Sequence, residues 1–204
     1  MNNVFVIGVG LIGGSLCLDI KKIYPKVKIY GIDSSVDNLD LAVELNLIDF
    51  KTSLDNLNKA DLVLISTPVD VANKIIIDVL NNINSKSLVI DFGSTKTNIC
   101  SKVNNHKKRK NYLASHPIAG TEFSGPKAAF LGLFSNKTII LCDSEKTDTN
   151  LLSTAENIFR SMQMNIRYMD SFSHDKHIAY VSHLSHISSF MLGKTVMDKE
   201  KNEN

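Results

Sequence analysis

The chain has no tryptophan, only four prolines and three cysteines, and no apolar run of membrane-spanning length. Each shortage excludes something. Cys17, Cys100 and Cys142 are odd in number and far apart, with no C-x-x-C spacing, which argues against a disulfide framework or a thiolate zinc site and fits reduced thiols in the cytoplasm. The longest apolar segments are of strand length, short of the roughly 18 residues of a membrane span, and no basic n-region precedes the first of them. Neither a membrane partner nor export is expected. A dominant charge is missing too: 23 Lys and Arg against 21 Asp and Glu leave +2, too little to imply nucleic acid or an anionic surface. The one basic cluster, His106 to Lys110, has no interleaved aromatics and reads as a solvated loop. What remains, 43% hydrophobic residues in 204, supports one large domain or one domain and part of another.

The organising stretch is Val4 to Ser15, where an apolar run of strand length passes straight into glycines spaced G-x-G-x-x-G. Gly8 permits a tight turn, Gly10 lets backbone approach a pyrophosphate, and Gly13 allows close helix–strand packing, with Leu11 and Ile12 at the start of the helix. Such a helix start offers unpaired N–H groups and a favourable dipole to phosphates. A second apolar run, Ile29 to Ile32, ends in Asp33, 20 residues beyond Gly13. A carboxylate there can accept hydrogen bonds from a ribose diol and repels a 2′-phosphate, so NAD is expected over NADP.

Strand and helix then alternate. Helical spacing runs from Leu11 to Lys22, a strand from Val27 to Ile32, a helix capped by Ser34 or Ser35 to about Leu45, a strand at Ala60 to Ser66 ended by Thr67-Pro68, a helix from Val69 to about Ile83, and a strand from Ser87 to Phe92. This predicts a Rossmann-type α/β fold with a doubly wound, mostly parallel sheet, whose ligands lie beyond the carboxyl ends of the strands. The strand-end segments Gly8 to Gly13, Asp33, Ser66-Thr67-Pro68 and Gly93-Ser94-Thr95-Lys96 are therefore expected to line one crevice. Further strands are expected at Tyr112 to Ser115, Lys137 to Cys142 and Asn165 to Met169, and a helix over Asp148 to Met162. A long helix capped by Ser171 or Ser173 should run to about Met197. The expected division is a nucleotide-binding domain over 1–170 and the first long helix of a second, helical domain over 171–204.

His116 follows a strand end, and imidazole is the side chain whose ordinary pKa lies near neutrality, which makes it the candidate general acid or base. Ser94, at the neighbouring strand end, is its candidate companion, and Lys96 a candidate for attracting a carboxylate. A plain His-Pro turn is the competing account. The last helix holds His174, His177, His183 and His186. Helical geometry puts His183 and His186 on one face and His174 nearly opposite His183, so one four-histidine site is not expected, and no metal is assigned.

These blocks resemble the amino-terminal, nucleotide-binding portion of the bacterial prephenate dehydrogenases. The resemblance rests on Gly8-Val9-Gly10-Leu11-Ile12-Gly13-Gly14-Ser15, Ser66-Thr67-Pro68-Val69, Asp91-Phe92-Gly93-Ser94-Thr95-Lys96, His116-Pro117-Ile118-Ala119-Gly120-Thr121-Glu122 and Ser182-His183-Leu184-Ser185-His186. It implies NAD-dependent oxidative decarboxylation of prephenate to 4-hydroxyphenylpyruvate in tyrosine biosynthesis, with arogenate as the alternative substrate. It also implies a catalytic His116 held by Ser94, Glu122 at the pocket mouth, and His183 and His186 toward the substrate, with His174 following the same helix-start pattern. In the family a further helical region supplies the dimer interface and an arginine for the substrate carboxylate. This chain stops soon after its last long helix, so a truncated homodimer-forming chain is expected. A non-catalytic nucleotide-binding module, or another reductase sharing only the fold, remains open from the residues.

Overall fold

The computed structural model describes residues 1–183 and 188–194, the side chains of 182 and 183 excepted. The glycine loop joins strand β1 (Asn3–Ile7) to helix α1 (Leu11–Ile23). Next come β2 (Lys28–Ile32), α2 (Val36–Glu44), the two-residue β3 (Phe50–Lys51), β4 (Leu62–Ile65), α3 (Val69–Asn82), β5 (Leu88–Asp91), α4 (Thr97–Val103), β6 (Tyr112–Pro117), β7 (Thr138–Cys142), α5 (Thr149–Ser161), β8 (Asn165–Met169) and α6 (Ser171–Ile178).

The strands form one sheet in the order β3-β2-β1-β4-β5-β6-β7-β8. The first six are parallel, β7 is antiparallel to β6, and β8 is parallel to β7. The order reverses between β1 and β4, the switch point at which a parallel sheet opens a crevice. Strands β1, β4 and β5 read as unbroken apolar runs because helices cover both faces. One face buries Leu16, Cys17 and Ile20 of α1 with Ala155, Ile158 and Phe159 of α5. The other buries Ala72, Ile76 and Val79 of α3, Ile99 and Val103 of α4, and Ile178 of α6. All three cysteines are free, buried thiols. Among the described residues, no helix is long and apolar enough to cross a membrane.

Local chemistry accounts for the helix starts. Ser35 caps α2 by accepting from Asn38 N at 3.2 Å, and Asp148 caps α5 by accepting from Asn150 N and Leu151 N. The last helix departs from expectation in two ways. Its cap is Asp170, whose Oδ1 accepts from Ser173 N at 2.8 Å, and neither Ser171 nor Ser173 fills that position. The α-helix ends at Ile178 and passes into a π-turn over Ala179–His183, with residues 188–194 again helical. Helix α4, unpredicted from its sequence, has its N-terminus bonded by Asp175, 78 residues downstream.

Candidate active site

The glycine loop is shaped by contact. Gly8 has φ +89°, a backbone conformation that L side chains rarely adopt. A Cβ on Gly13 would stand 2.0 Å from the Gly8 carbonyl oxygen and 2.5 Å from Ser66 Oγ. Ser66 ties β4 to this loop, its hydroxyl donating to the Gly8 carbonyl at 2.7 Å. Gly10 differs: a Cβ there would meet nothing within 4 Å, because it borders a crevice of about 370 Å³. That crevice is lined by Gly10, Leu11 and Ile12, by Ser66, Thr67 and Pro68, and by Gly93 and Ser94, with Phe123, Ser124 and Gly125 along one side. Three of the four expected segments thus meet. The fourth residue, Asp33, joins through its carboxylate, which accepts from Val9 N at 3.0 Å and Ser35 N at 2.9 Å.

This crevice fits a dinucleotide on grounds of its own. Helix α1 begins with no side-chain cap and no acidic residue in its first turn, leaving N–H groups directed at the space beside Gly10. Thr67 Oγ1 is buried without a hydrogen-bond partner in the same wall.

A second cleft of about 750 Å³ opens beside β6, β7 and β8, lined by His116, Thr138, Ile140, Arg167, Met169, His177 and neighbours. His116 pairs in register with Ile140, and Ile140 with Arg167, so the imidazole and the guanidinium stand on one sheet face, two strands or about 10 Å apart at the backbone. Arg167 is exposed, and Lys137 lines the same cleft. Behind His116 its Nδ1 lies 3.0 Å from Nε2 of the fully buried His174, whose Nδ1 lies 2.8 Å from Asp175 Oδ1. Asp175 in turn accepts from Lys96 N at 2.7 Å and Thr97 N at 2.8 Å.

Several expectations are corrected. Lys96 is fully buried, ion-paired with Asp91 and donating to the Ser115 carbonyl at 2.7 Å, because the turn after β5 folds the side chain back between two strand ends. It lines neither cleft. Ser94 lies exposed at the nucleotide crevice, and the His116 imidazole has His174 as a partner. Glu122 lines an adjoining hollow with Phe123, Ser124 and Lys127, outside the His116 cleft. His186 and the side chain of His183 lie outside the described residues. Sequence reasoning passed over Asp175 and Arg167 and ranked His174 low; an acid directly after a helix-start histidine was the available signal.

Fold and crevice together define a dinucleotide-binding domain of the Rossmann type. A family model described as the nucleotide-binding domain of prephenate dehydrogenase matches residues 16–168, and the chain belongs to that family. It is 31% identical over 190 residues to the prephenate dehydrogenase of Bacillus subtilis (strain 168), covering 91% of this chain and 51% of that protein, so it spans about half that relative's length. Prephenate dehydrogenase from A. aeolicus, solved in complex with hydroxyphenyl propionate and NAD⁺, is similar with a TM-score of 0.89 and 32% identity over 97% of this chain and 70% of that one. Synechocystis arogenate dehydrogenase follows with a TM-score of 0.84 and 26% identity, covering 95% and 68%.

Proposed function

We propose that this chain carries the NAD-binding and base-bearing part of an enzyme that oxidatively decarboxylates prephenate. The observation that carries the reading is His116, an imidazole at a strand end, on the wall of a cleft whose other wall bears Arg167 and Lys137. A hydroxylated ring acid suits that pairing of a base with cations.

The crevice residues Gly8, Gly10, Gly13, Leu11, Ile12, Ser66, Thr67 and Pro68 would hold NAD, with Asp33 on the ribose diol. When bound, the cofactor supplies a nicotinamide able to accept hydride. His116 accepts the proton of the ring hydroxyl while the carbon bearing it loses hydride. The ring carboxylate leaves as CO₂, the electrons of the broken C–C bond complete the aromatic ring, and the proton returns to the phenolic oxygen. Assistance by a general base is typically worth 10² to 10⁴ in rate. Arg167 would pair with a substrate carboxylate, the role that the buried Lys96 cannot fill.

In this reading residues 1–170 form the NAD-binding domain and 171–204 begin a helical part, with α6 as its fastening to the sheet. The exposed Phe172, Tyr180, Val181, Phe190 and Leu192 support burial against a second copy in a homodimer. Arogenate, with an amine in place of the keto group, is the second reading, supported by the likeness to the Synechocystis enzyme. The test is NADH formation with prephenate or arogenate, alongside calorimetric titration with NAD⁺ alone. Turnover of prephenate supports the assignment. Binding of NAD⁺ without turnover of either acid overturns the catalytic part, and absence of NAD⁺ binding overturns the crevice assignment.

A further inference from the structure

We propose that His174 and Asp175 are positioning residues that fix the proton of His116 on Nδ1 and so place its basic lone pair on Nε2. Partial burial pushes the Asp175 carboxyl up, but hydrogen bonds from Thr97 N, from His174 and from Lys96 N more than offset this, and the group is held below the usual carboxylate range. It is therefore ionised and only accepts. The hydrogen in the 2.8 Å contact with His174 belongs to His174 Nδ1.

The second link follows from burial. His174 is fully enclosed, and desolvation lowers its pKa despite the neighbouring Asp175; the Lys96 and His177 charges act in the same downward direction. A neutral His174 that donates from Nδ1 keeps a lone pair on Nε2. The 3.0 Å contact with His116 Nδ1 is then a hydrogen bond only if His116 is the donor. That leaves the base on Nε2, the tautomer that free histidine disfavours in water. The same chain supports the imidazolium formed when His116 takes a proton, as an orienting carboxylate does in a catalytic triad.

The relay differs from a passive core contact in what it sets. Asp175 also anchors the N-terminus of α4 through Lys96 N and Thr97 N, so the carboxylate is fixed by backbone on one side and reads out through two imidazoles on the other. The tautomer assignment stands on the two short contacts and on the burial of His174; its role in turnover rests on the functional reading above.

The experiment is ¹⁵N NMR of the histidine imidazoles in the free chain at neutral pH, whose shifts report which nitrogen carries the proton. Expected is His116 protonated at Nδ1 and His174 neutral; a His116 protonated at Nε2, or a charged His174, overturns the proposal. His174→Phe removes the acceptor and should return His116 to the Nε2–H form, lowering kcat by about 10²-fold or more with NAD⁺ affinity unchanged, whereas His174→Gln, which keeps an acceptor oxygen, should recover part of the loss. An unaltered His116 tautomer in His174→Phe also overturns it. Should that variant fail to fold, the spectrum of the wild-type chain decides by itself. Failure of the wild-type chain to oxidise prephenate counts against the function and leaves the tautomer result standing.

Discussion

Gly13 and Gly8 lie so close that a single methyl on Gly13 would sit 2.0 Å from the Gly8 carbonyl oxygen, with Ser66 Oγ at 2.5 Å on the other side. Backbone cannot yield there as a side chain could. Gly13→Ala should therefore cost about 1–3 kcal/mol of stability and displace the loop that faces the crevice. Urea denaturation and calorimetric titration with NAD⁺ check both halves, and near-normal NAD⁺ affinity in the variant would remove the loop from the cofactor site.

Asp33 spends two acceptor positions on Val9 N and Ser35 N, yet its two carboxyl oxygens have room for more. Asp33→Ser should weaken NAD⁺ about tenfold or more, from the loss of a charged hydrogen bond, and raise the relative affinity for NADP⁺. Titration with the two cofactors measures it. An unchanged ratio would take Asp33 away from the ribose.

Lys96 is fixed inside, on Asp91 and the Ser115 carbonyl. Removing one partner of a buried pair typically costs about 3–5 kcal/mol, since the other charge is left uncompensated. Lys96→Met should thus lower the urea midpoint strongly. A variant of wild-type stability with a raised KM for the acid would restore the substrate role that the sequence pattern had offered.

Arg167 is the contrasting case, an exposed guanidinium on the wall of the cleft. Arg167→Gln should leave stability within about 0.5 kcal/mol, raise KM for the ring acid about 10- to 100-fold, and leave NAD⁺ affinity unaltered. Arg167→Lys should retain part of the affinity as a point charge. Steady-state kinetics with each variant would show it, and unchanged KM would exclude the pairing.

His174 gives stability a pH signature. Burial lowers its pKa from 6.5, so between that lowered value and 6.5 the unfolded chain binds more protons than the folded one. The contribution is complete above about 6.5 and is lost as pH falls through that window, while Asp175 adds a similar loss only in the carboxylate range. Urea midpoints measured against pH should decline there, and His174→Phe should flatten the decline. Parallel slopes in both proteins would argue against a neutral, buried imidazole.

The crevice was legible in the sequence because its chemistry is local. Gly8, Gly10 and Gly13 are read from spacing, Asp33 from its place at the next strand end, and Ser35 from the preference of short polar side chains for helix starts. The cleft was less legible because contacts across the sheet decide it. A lysine after Gly93-Ser94-Thr95 looks the same whether it turns out to a ligand or in to Asp91. A helical wheel places His174 on the face away from His183, but is silent on which face meets β6. Arg167 sits in a short strand whose partner and direction follow from the reversal at β7, a tertiary choice that the pattern Asn165 to Met169 does not encode.

That Asp175 bonds to the start of α4 across 78 residues also orders how the molecule is made. As the chain emerges from its amino end, the glycine loop, Asp33 and the end of β4 can assemble while α4 is still uncapped and His116 has no imidazole behind it. Closing so long a loop is entropically slow, so the nucleotide crevice would form ahead of the His116–His174 contact. A nascent chain would acquire its nucleotide pocket before His174 could reach His116.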